Sequence, residues 1–260
     1  MTEIWGIINV TPDSFSDGGK FMEKDAALKH GRDLCKEGAS VLDVGAESTR
    51  PGADIVDAET EISRLIPVIK ALKEEIDLPL SADTYKAVTA AAALDAGALV
   101  INDISGLADP EMKELIAERK CPYCLTYNEA PDASKKDILY RALDFFERKT
   151  EELIAAGVRG EDIIIDPGIG FNKSQEENLK LIKSAGEFKK TGFKLLYGIS
   201  RKSFVALCCG SDMEEREAGT AALDTYLALL GVDILRVHNV RMNIAAVKMA
   251  EVLKGSKING

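Results

Sequence analysis

The sequence predicts an α/β protein with the (β/α)₈ barrel, or TIM-barrel, fold. Short apolar segments alternate with longer amphipathic segments along the chain, and eight such pairs can be counted. The length of 260 residues is close to the usual size of this fold, about 250 residues. No linker, low-complexity segment or block of charge divides the chain, so we predict one domain over residues 1–260.

The strands are predicted from apolar runs that are too short for helices and are bounded by polar residues or glycine. These runs are Ile4–Ile8, Val41–Val44, Leu78–Ala82, Leu99–Ile101, Tyr123–Thr126, Ile163–Ile165, Lys194–Gly198 and Asp233–Val237. A doubly wound open sheet is the alternative, but no G-x-G-x-x-G follows the first run, and the count of eight units favours the barrel.

The helices are predicted from segments in which apolar residues recur at helical spacing, as Ile62, Leu65, Ile69 and Leu72 do. The predicted helices are Glu23–Glu37, Ala58–Glu75, Lys86–Asp95, Pro110–Glu118, Asp137–Ala156, Ser174–Ser184, Met213–Leu230 and Val240–Leu253.

Composition excludes several classes of function. The net charge of −10 and the pI of about 4.9 argue against nucleic acid or an anionic membrane as a partner. No apolar stretch has transmembrane length, and a strand is predicted close to the first residue, which indicates a cytoplasmic protein. Cys121 and Cys124 form a C-x-x-C without a second pair, so we interpret them as buried thiols rather than a redox or zinc site.

Polar side chains cluster where the predicted strands end, which is where barrel enzymes carry their active sites. The segments concerned are Asn9–Gly19, Asp43–Gly52, Ser81–Tyr85, Asn102–Gly106, Asp166–Phe171, Ser200–Phe204 and Arg236–Asn239. Taken singly, Lys202, His238 and Arg50 are more typical of solvated or structural positions than of a site. Their joint placement at one end of the barrel predicts a site.

One group of these residues suits a flat heterocycle. Asp83, Asn102 and Asp166 are expected to point into the barrel mouth, where they can exchange hydrogen bonds with ring N–H and amino groups. Lys202 adds a cationic donor for a carbonyl or a ring nitrogen.

A second group suits phosphate or pyrophosphate, because it combines cationic, amide and hydroxyl donors. Its members are Asn9, Thr49, Arg50, Ser203, Arg236 and His238. We therefore predict a mouth with a heterocycle half and an anion half.

These motifs resemble the dihydropteroate synthase family, in the order in which that family has them. The matching stretches are Asn9–Gly19, Glu47–Gly52, Ser81–Tyr85, Ile101–Gly106, Asp166–Phe171, Ser200–Phe204 and Arg236–His238, and they span essentially the whole chain. The resemblance implies a Mg²⁺-dependent, homodimeric transferase of folate biosynthesis. Such an enzyme condenses 6-hydroxymethyl-7,8-dihydropterin pyrophosphate with p-aminobenzoate, through SN1-like loss of pyrophosphate and attack by the aniline nitrogen, and yields 7,8-dihydropteroate.

The resemblance also implies a role for individual residues. The implied pterin contacts are Asp83, Asn102, Asp166, Gly198 and Lys202, of which Asp83, Asp166 and Lys202 would be catalytic. The implied pyrophosphate contacts are Asn9, Arg236 and His238, with Asn9 also at the metal. The implied p-aminobenzoate contacts are Thr49, Arg50, Phe171 and Ser203. The first loop, with Thr11, Pro12, Asp13, Ser14 and Phe15, is expected to be a mobile cover that excludes water.

The chain departs from the family pattern in two places. Thr126 and Tyr127 stand where a Met-His pair is common, and Ala46 stands where a second glycine is usual.

Two other functions stay open. A methyltransferase that uses methyltetrahydrofolate would share the pterin residues but not need Ser200–Phe204 or the full first loop. A non-catalytic pterin-binding paralogue has only the altered Thr126 stretch in its support.

Overall fold

The computed structural model describes residues 1–10, 19–48, 55–130 and 137–255, of which residues 19–23 are described by their backbone alone. Within these residues, eight parallel strands close into a barrel in which each strand pairs with its neighbours in sequence and β8 pairs with β1. The predicted (β/α)₈ fold is confirmed. The predicted motif residues 11–15, 49 and 50 lie outside the described part of the chain.

All eight predicted strands are present. They are β1 (Glu3–Asn9), β2 (Val41–Gly45), β3 (Leu80–Asp83), β4 (Val100–Asp103), β5 (Tyr123–Thr126), β6 (Ile163–Asp166), β7 (Lys194–Tyr197) and β8 (Ile234–Val237). Several extend past the apolar run that predicted them, so that Asp83, Asn102 and Asp166 belong to strands rather than to loops. The backbone ladder continues through these residues because it does not depend on side-chain polarity.

The helices surround the barrel. They are α1 (Gly19–Glu37), α2 (Ala58–Glu75), α3 (Ala87–Ala96), α4 (Met112–Arg119), α5 (Ile138–Ala155), α6 (Gln175–Lys183), α7 (Ala185–Lys189), α8 (Ser203–Cys209), α9 (Met213–Leu229) and α10 (Val240–Leu253). The eight predicted helices are confirmed within a few residues at their ends, whereas α7 and α8 were not predicted. No helix in the described ranges is long and apolar enough to cross a membrane.

The barrel interior consists of two layers. The lower layer is apolar and contains Trp5, Val41, Val100, Cys124, Ile164, Leu196 and Ile234. Because side chains alternate between the two faces of a strand, the residue two positions further on faces the interior again. These positions hold Ile7, Asp43, Asn102, Thr126, Asp166, Gly198 and Arg236. The upper layer is therefore largely polar, and it forms the floor of the barrel mouth.

The cysteines of the C-x-x-C lie in different parts of the core. Cys124 faces the barrel interior, while Cys121 packs in the larger cluster between strands and helices. Both are buried free thiols, as the sequence predicted. Burial raises the pKa of Cys121 to about 11, so this thiol is poorly nucleophilic.

Candidate active site

A hydrogen-bond network around Arg236 connects four strands at the floor of the mouth. Arg236 Nε donates to Oδ2 of Asp43 over 2.5 Å, and its Nη2 donates to Oδ2 of Asp83 over 2.5 Å. Asn102 Nδ2 donates to the same Oδ2 of Asp43 over 3.1 Å. The side chains of this floor are therefore held in place by one another.

This network does not follow the predicted division of the mouth into a heterocycle half and an anion half. The sequence assigned Asp83 to the heterocycle and Arg236 to the anion, but the structure joins these two residues directly. Asp43 was missed as a site residue, although its place two positions after inward-facing Val41 would have identified it. Asp43 is fully buried, and its Oδ1 has no hydrogen-bond partner among the described residues.

The charge state of Asp83 follows from its surroundings. Burial raises the pKa of this carboxyl to about 7, the guanidinium of Arg236 opposes the rise, and the nearby carboxylate of Asp43 adds to it. Asp83 therefore changes its charge near neutral pH.

The change in unfolding free energy caused by replacing Asp83 with asparagine is expected to be more favourable at pH 8 than at pH 5. Between an ordinary carboxyl pKa of 3.8 and a native pKa of about 7, the native state holds a proton that the unfolded chain has released. Native stability thus falls as the pH rises through this window, and an asparagine is exempt from that loss. The difference is about 3 kcal/mol at most, measured by urea unfolding at the two pH values.

Asp77→Asn is the matched control, because Asp77 is exposed between α2 and β3. For each variant, the change in unfolding free energy at pH 8 is compared with the change at pH 5. The explanation from Asp83 would be wrong if this difference were the same for Asp83→Asn and Asp77→Asn.

Asp166 and Lys202 lie close enough in the mouth to influence each other electrostatically. Asp166 Oδ1 accepts a hydrogen bond of 2.9 Å from the backbone N–H of Gly168. Burial raises the pKa of Asp166, and the charge of Lys202 opposes that rise. Burial lowers the pKa of Lys202 to about 8. At neutral pH Lys202 is therefore still mainly protonated, and its buried ammonium group needs hydrogen-bond acceptors.

Lys202 also contacts the loop that follows β6. Its Nζ donates to the carbonyl of Ile169 and lies 3.9 Å from the ring centroid of Phe171. The structure thus brings together Lys202, predicted to contact the pterin, and Phe171, predicted to contact p-aminobenzoate.

The ends of β7 and β8 are joined by a histidine–serine contact. Ser200 Oγ and His238 Nδ1 are 3.0 Å apart, and the backbone N–H of His238 donates to the same Oγ over 3.2 Å. Gly198 lies beside Arg236, since a Cβ at Gly198 would be 3.9 Å from the Cβ and Cδ of the arginine. Asn9, the last residue of β1, and Ser203, the first residue of α8, are exposed.

A buried ion cluster beside the second loop was not predicted. Lys86 Nζ donates to Glu47 and, over 2.9 Å, to fully buried Glu61, while the Tyr85 hydroxyl donates to Glu47 over 2.9 Å. Val56 N–H also donates to Glu47 Oε1 over 3.3 Å. Glu47 therefore joins the end of β2 to the residues before α2. A signal was present in the sequence, because Glu61 lies one turn before inward-facing Leu65.

The two departures from the family pattern are accommodated in different ways. Ala46 is fully buried and does not have a positive φ, so its methyl group causes no backbone strain. Thr126 is fully buried, faces the interior and pairs in register with Asp166. Its hydroxyl has no hydrogen-bond partner among the described residues.

Comparison with known proteins gives the same family throughout. Residues 5–238 match the pterin binding enzyme family. A dihydropteroate synthase of Clostridium beijerinckii is 44% identical over 255 residues, which cover 97% of this chain and 94% of that protein. The dihydropteroate synthase of Bacillus subtilis is 41% identical over 253 residues, which cover 97% of this chain and 88% of that protein.

Solved structures agree with the sequence relatives. A dihydropteroate synthase structure from Clostridium difficile, obtained in the presence of pteroic acid, has a TM-score of 0.94 at 41% identity and covers 98% of this chain and 97% of its own. A Xanthomonas albilineans dihydropteroate synthase with 4-aminobenzoic acid has a TM-score of 0.92 at 37% identity, with 98% and 94% covered.

Proposed function

This chain belongs to the dihydropteroate synthase family of pterin-binding enzymes, and we propose that it joins p-aminobenzoate to 6-hydroxymethyl-7,8-dihydropterin pyrophosphate. The products are 7,8-dihydropteroate and pyrophosphate. The observation that carries the proposal is the polar floor, in which Asp83, Asn102, Asp166, Lys202 and Arg236 come together at the strand ends.

The floor is complementary to the pterin ring. Pterin amino and N–H groups donate to the carboxylates of Asp83 and Asp166, whose pKa values are raised by burial. Asn102 can both donate and accept at the ring edge, and Lys202 donates to a carbonyl or a ring nitrogen. Gly198 leaves space for the ring beside Arg236.

The chemical step begins with departure of the pyrophosphate. The bond between the methylene carbon and the pyrophosphate oxygen breaks, and its electrons leave with the pyrophosphate. The electron-rich ring and the nearby carboxylates of Asp83 and Asp166 stabilise the positive charge that develops on the carbon. The lone pair of the aniline nitrogen then forms the new C–N bond, and that nitrogen loses its proton.

Arg236 and His238 bind the departing pyrophosphate in this proposal. Arg236 already faces Asp43 and Asp83, so its charge is shared between two carboxylates and the anion. Phe171 and Ser203 contact p-aminobenzoate, together with Thr49 and Arg50. The role proposed for residues 11–15 is to keep water from the cationic carbon.

The residues at the anion end are compatible with Mg²⁺. The side chain of Asn9 is exposed at the end of β1 and offers an amide oxygen, a donor that suits Mg²⁺ when phosphate oxygens and water complete the shell. The ion would be held by Asn9 and the pyrophosphate, and it would offset the negative charge of the leaving group.

The function is tested by incubating the protein with p-aminobenzoate, the pterin pyrophosphate and Mg²⁺ and by detecting 7,8-dihydropteroate. The pterin alcohol without pyrophosphate is the control substrate and should give no product. Pterin binding without product would favour the non-catalytic paralogue, and methyl transfer from methyltetrahydrofolate to a corrinoid would favour the methyltransferase.

We further propose that the enzyme is a cytoplasmic homodimer and that its two copies meet through α9 and α10. These adjacent helices expose apolar side chains at Tyr226, Leu229, Met242, Met249 and Leu253, the last with an exposed fraction of 65%. The free thiols and the acidic composition support the cytoplasmic location.

A variant with Met249→Glu and Leu253→Glu is expected to sediment as a monomer at concentrations where the wild type is a dimer. Charge placed on a desolvated apolar face opposes association. Leu179→Glu, at an exposed position of α6, should leave the sedimentation coefficient unchanged. An unaltered dimer in the double variant would place the interface elsewhere.

A further inference from the structure

Lys173 is a second lysine close to the mouth. It lies between β6 and α6, and its Nζ donates to the backbone carbonyls of Tyr127, over 2.9 Å, and of Phe171, over 3.0 Å. The same Nζ lies 4.6 Å from the ring centroid of Tyr127. Burial lowers the pKa of Lys173 to about 7, and Lys173 has no ion-pair partner within 4 Å in the described ranges. Its polar contacts are therefore directed at the backbone of two neighbouring segments.

These contacts fasten the loop after β6 to the end of β5. Gly168, with a φ of +68°, lies so close to this end that a Cβ would be 2.2 Å from the carbonyl oxygen of Tyr127. Asn172 has a φ of 46°, and its Nδ2 donates to Asn128 Oδ1 over 3.1 Å. Both residues hold strained or crowded conformations, so the loop needs fixed contacts to keep its shape. Lys173 supplies two of them.

The other side of this loop touches Lys202. Phe171 packs its ring under Nζ of Lys202, and the carbonyl of Ile169 accepts a hydrogen bond from the same atom. A single short loop thus carries Phe171 between two lysines. Lys202 contacts its ring, and Lys173 binds its carbonyl.

We propose that Lys173 is a positioning residue for the second substrate: it holds the loop after β6 against β5 so that Phe171 presents its ring to p-aminobenzoate. The inference rests on the proposed function. It assigns to Lys173 no contact with the substrate, because Nζ donates to the carbonyls of Phe171 in the loop and of Tyr127, the residue after β5.

The test compares steady-state kinetics of Lys173→Met with those of the wild type and of Lys183→Met. Lys183 is exposed on α6 and provides the same chemical change at a neutral position. Lys173→Met is expected to raise the KM for p-aminobenzoate about tenfold, as loss of hydrogen bonds from a charged donor does. The kcat and the KM for the pterin pyrophosphate should stay within about twofold.

Two further variants separate positioning from general support. Lys173→Arg retains donors and should restore the KM for p-aminobenzoate to within about threefold of the wild type. In a Phe171→Leu background, adding Lys173→Met should change this KM less than it does alone, because both residues act through the same ring.

The outcomes distinguish the inference from the function on which it rests. A wild-type enzyme without product would contradict the function itself. If the wild type is active, the inference would be overturned by an unchanged KM for p-aminobenzoate in Lys173→Met. It would also be overturned if Lys173→Met altered kcat and both KM values together with the melting temperature. A Lys173→Arg variant as impaired as Lys173→Met would overturn it as well.

Discussion

Replacing Arg236 with methionine should lower the free energy of unfolding at pH 8 by about 3–5 kcal/mol, the loss seen when one partner of a buried ion pair is removed. Arg236 is the cation that neutralises Asp43 and Asp83, both within 2.5 Å. Without it, two carboxylates remain in the barrel interior. Chemical unfolding at pH 8 and at pH 5.5 measures the effect.

The loss should be smaller at pH 5.5, because Asp83, with its pKa raised to about 7, then carries a proton and needs no cation. Arg32→Met is the matched control, since it breaks an exposed ion pair with Glu75 and should cost less than about 1 kcal/mol. If both arginine variants were destabilised equally, the buried network would contribute no more to stability than an exposed ion pair.

Calorimetry should also show that Arg236→Met weakens binding of the pterin pyrophosphate far more than binding of the bare pterin.

Replacing Lys202 with methionine should lower kcat/KM for dihydropteroate formation by about 10²–10³, the usual effect of removing one preorganised donor from an active site. The melting temperature should be unchanged or higher. Burial lowers the pKa of Lys202 to about 8 from an ordinary 10.5, so the native ammonium destabilises the fold below pH 8 and ceases to do so as the pH rises toward 10.5. A methionine removes this penalty.

Product formation and thermal unfolding of Lys202→Met are measured beside those of Lys183→Met, in which an exposed lysine changes in the same way. Turnover of Lys202→Met within about tenfold of the wild type would contradict a catalytic role. A large fall in melting temperature would show that Lys202 supports the fold instead.

The sequence was sufficient for the architecture because its periodicities are local. Helical spacing of apolar residues placed α2 and α10 at the bounds that the structure has. Helix α8 was missed since its seven residues, with Leu207 and two cysteines exposed, make no apolar stripe. Interior positions could also be derived, because alternation along a strand carries the assignment from Val41 to Asp43.

The connections within the site were not predictable in the same way. Arg236 meets Asp43 across 193 positions of sequence and Asp83 across 153. Only closure of the barrel brings β8 beside β1 and its arginine within reach of side chains on β2 and β3. The contacts of Lys173 are made to backbone carbonyls, which every residue possesses, so no residue pattern marks their acceptors.

The two-layered interior also determines where the chain can tolerate changes in length. Deleting one residue from β2 before Asp43 would turn this carboxylate toward the helices and bring Val44 into the mouth, because a shift by one position reverses the face of every following side chain. Insertions of one residue into β4, β6 or β8 would do the same to Asn102, Asp166 and Arg236. Relatives of this protein should therefore vary in length between their strands and helices, while the distance in sequence from each apolar-layer residue to its floor residue remains two.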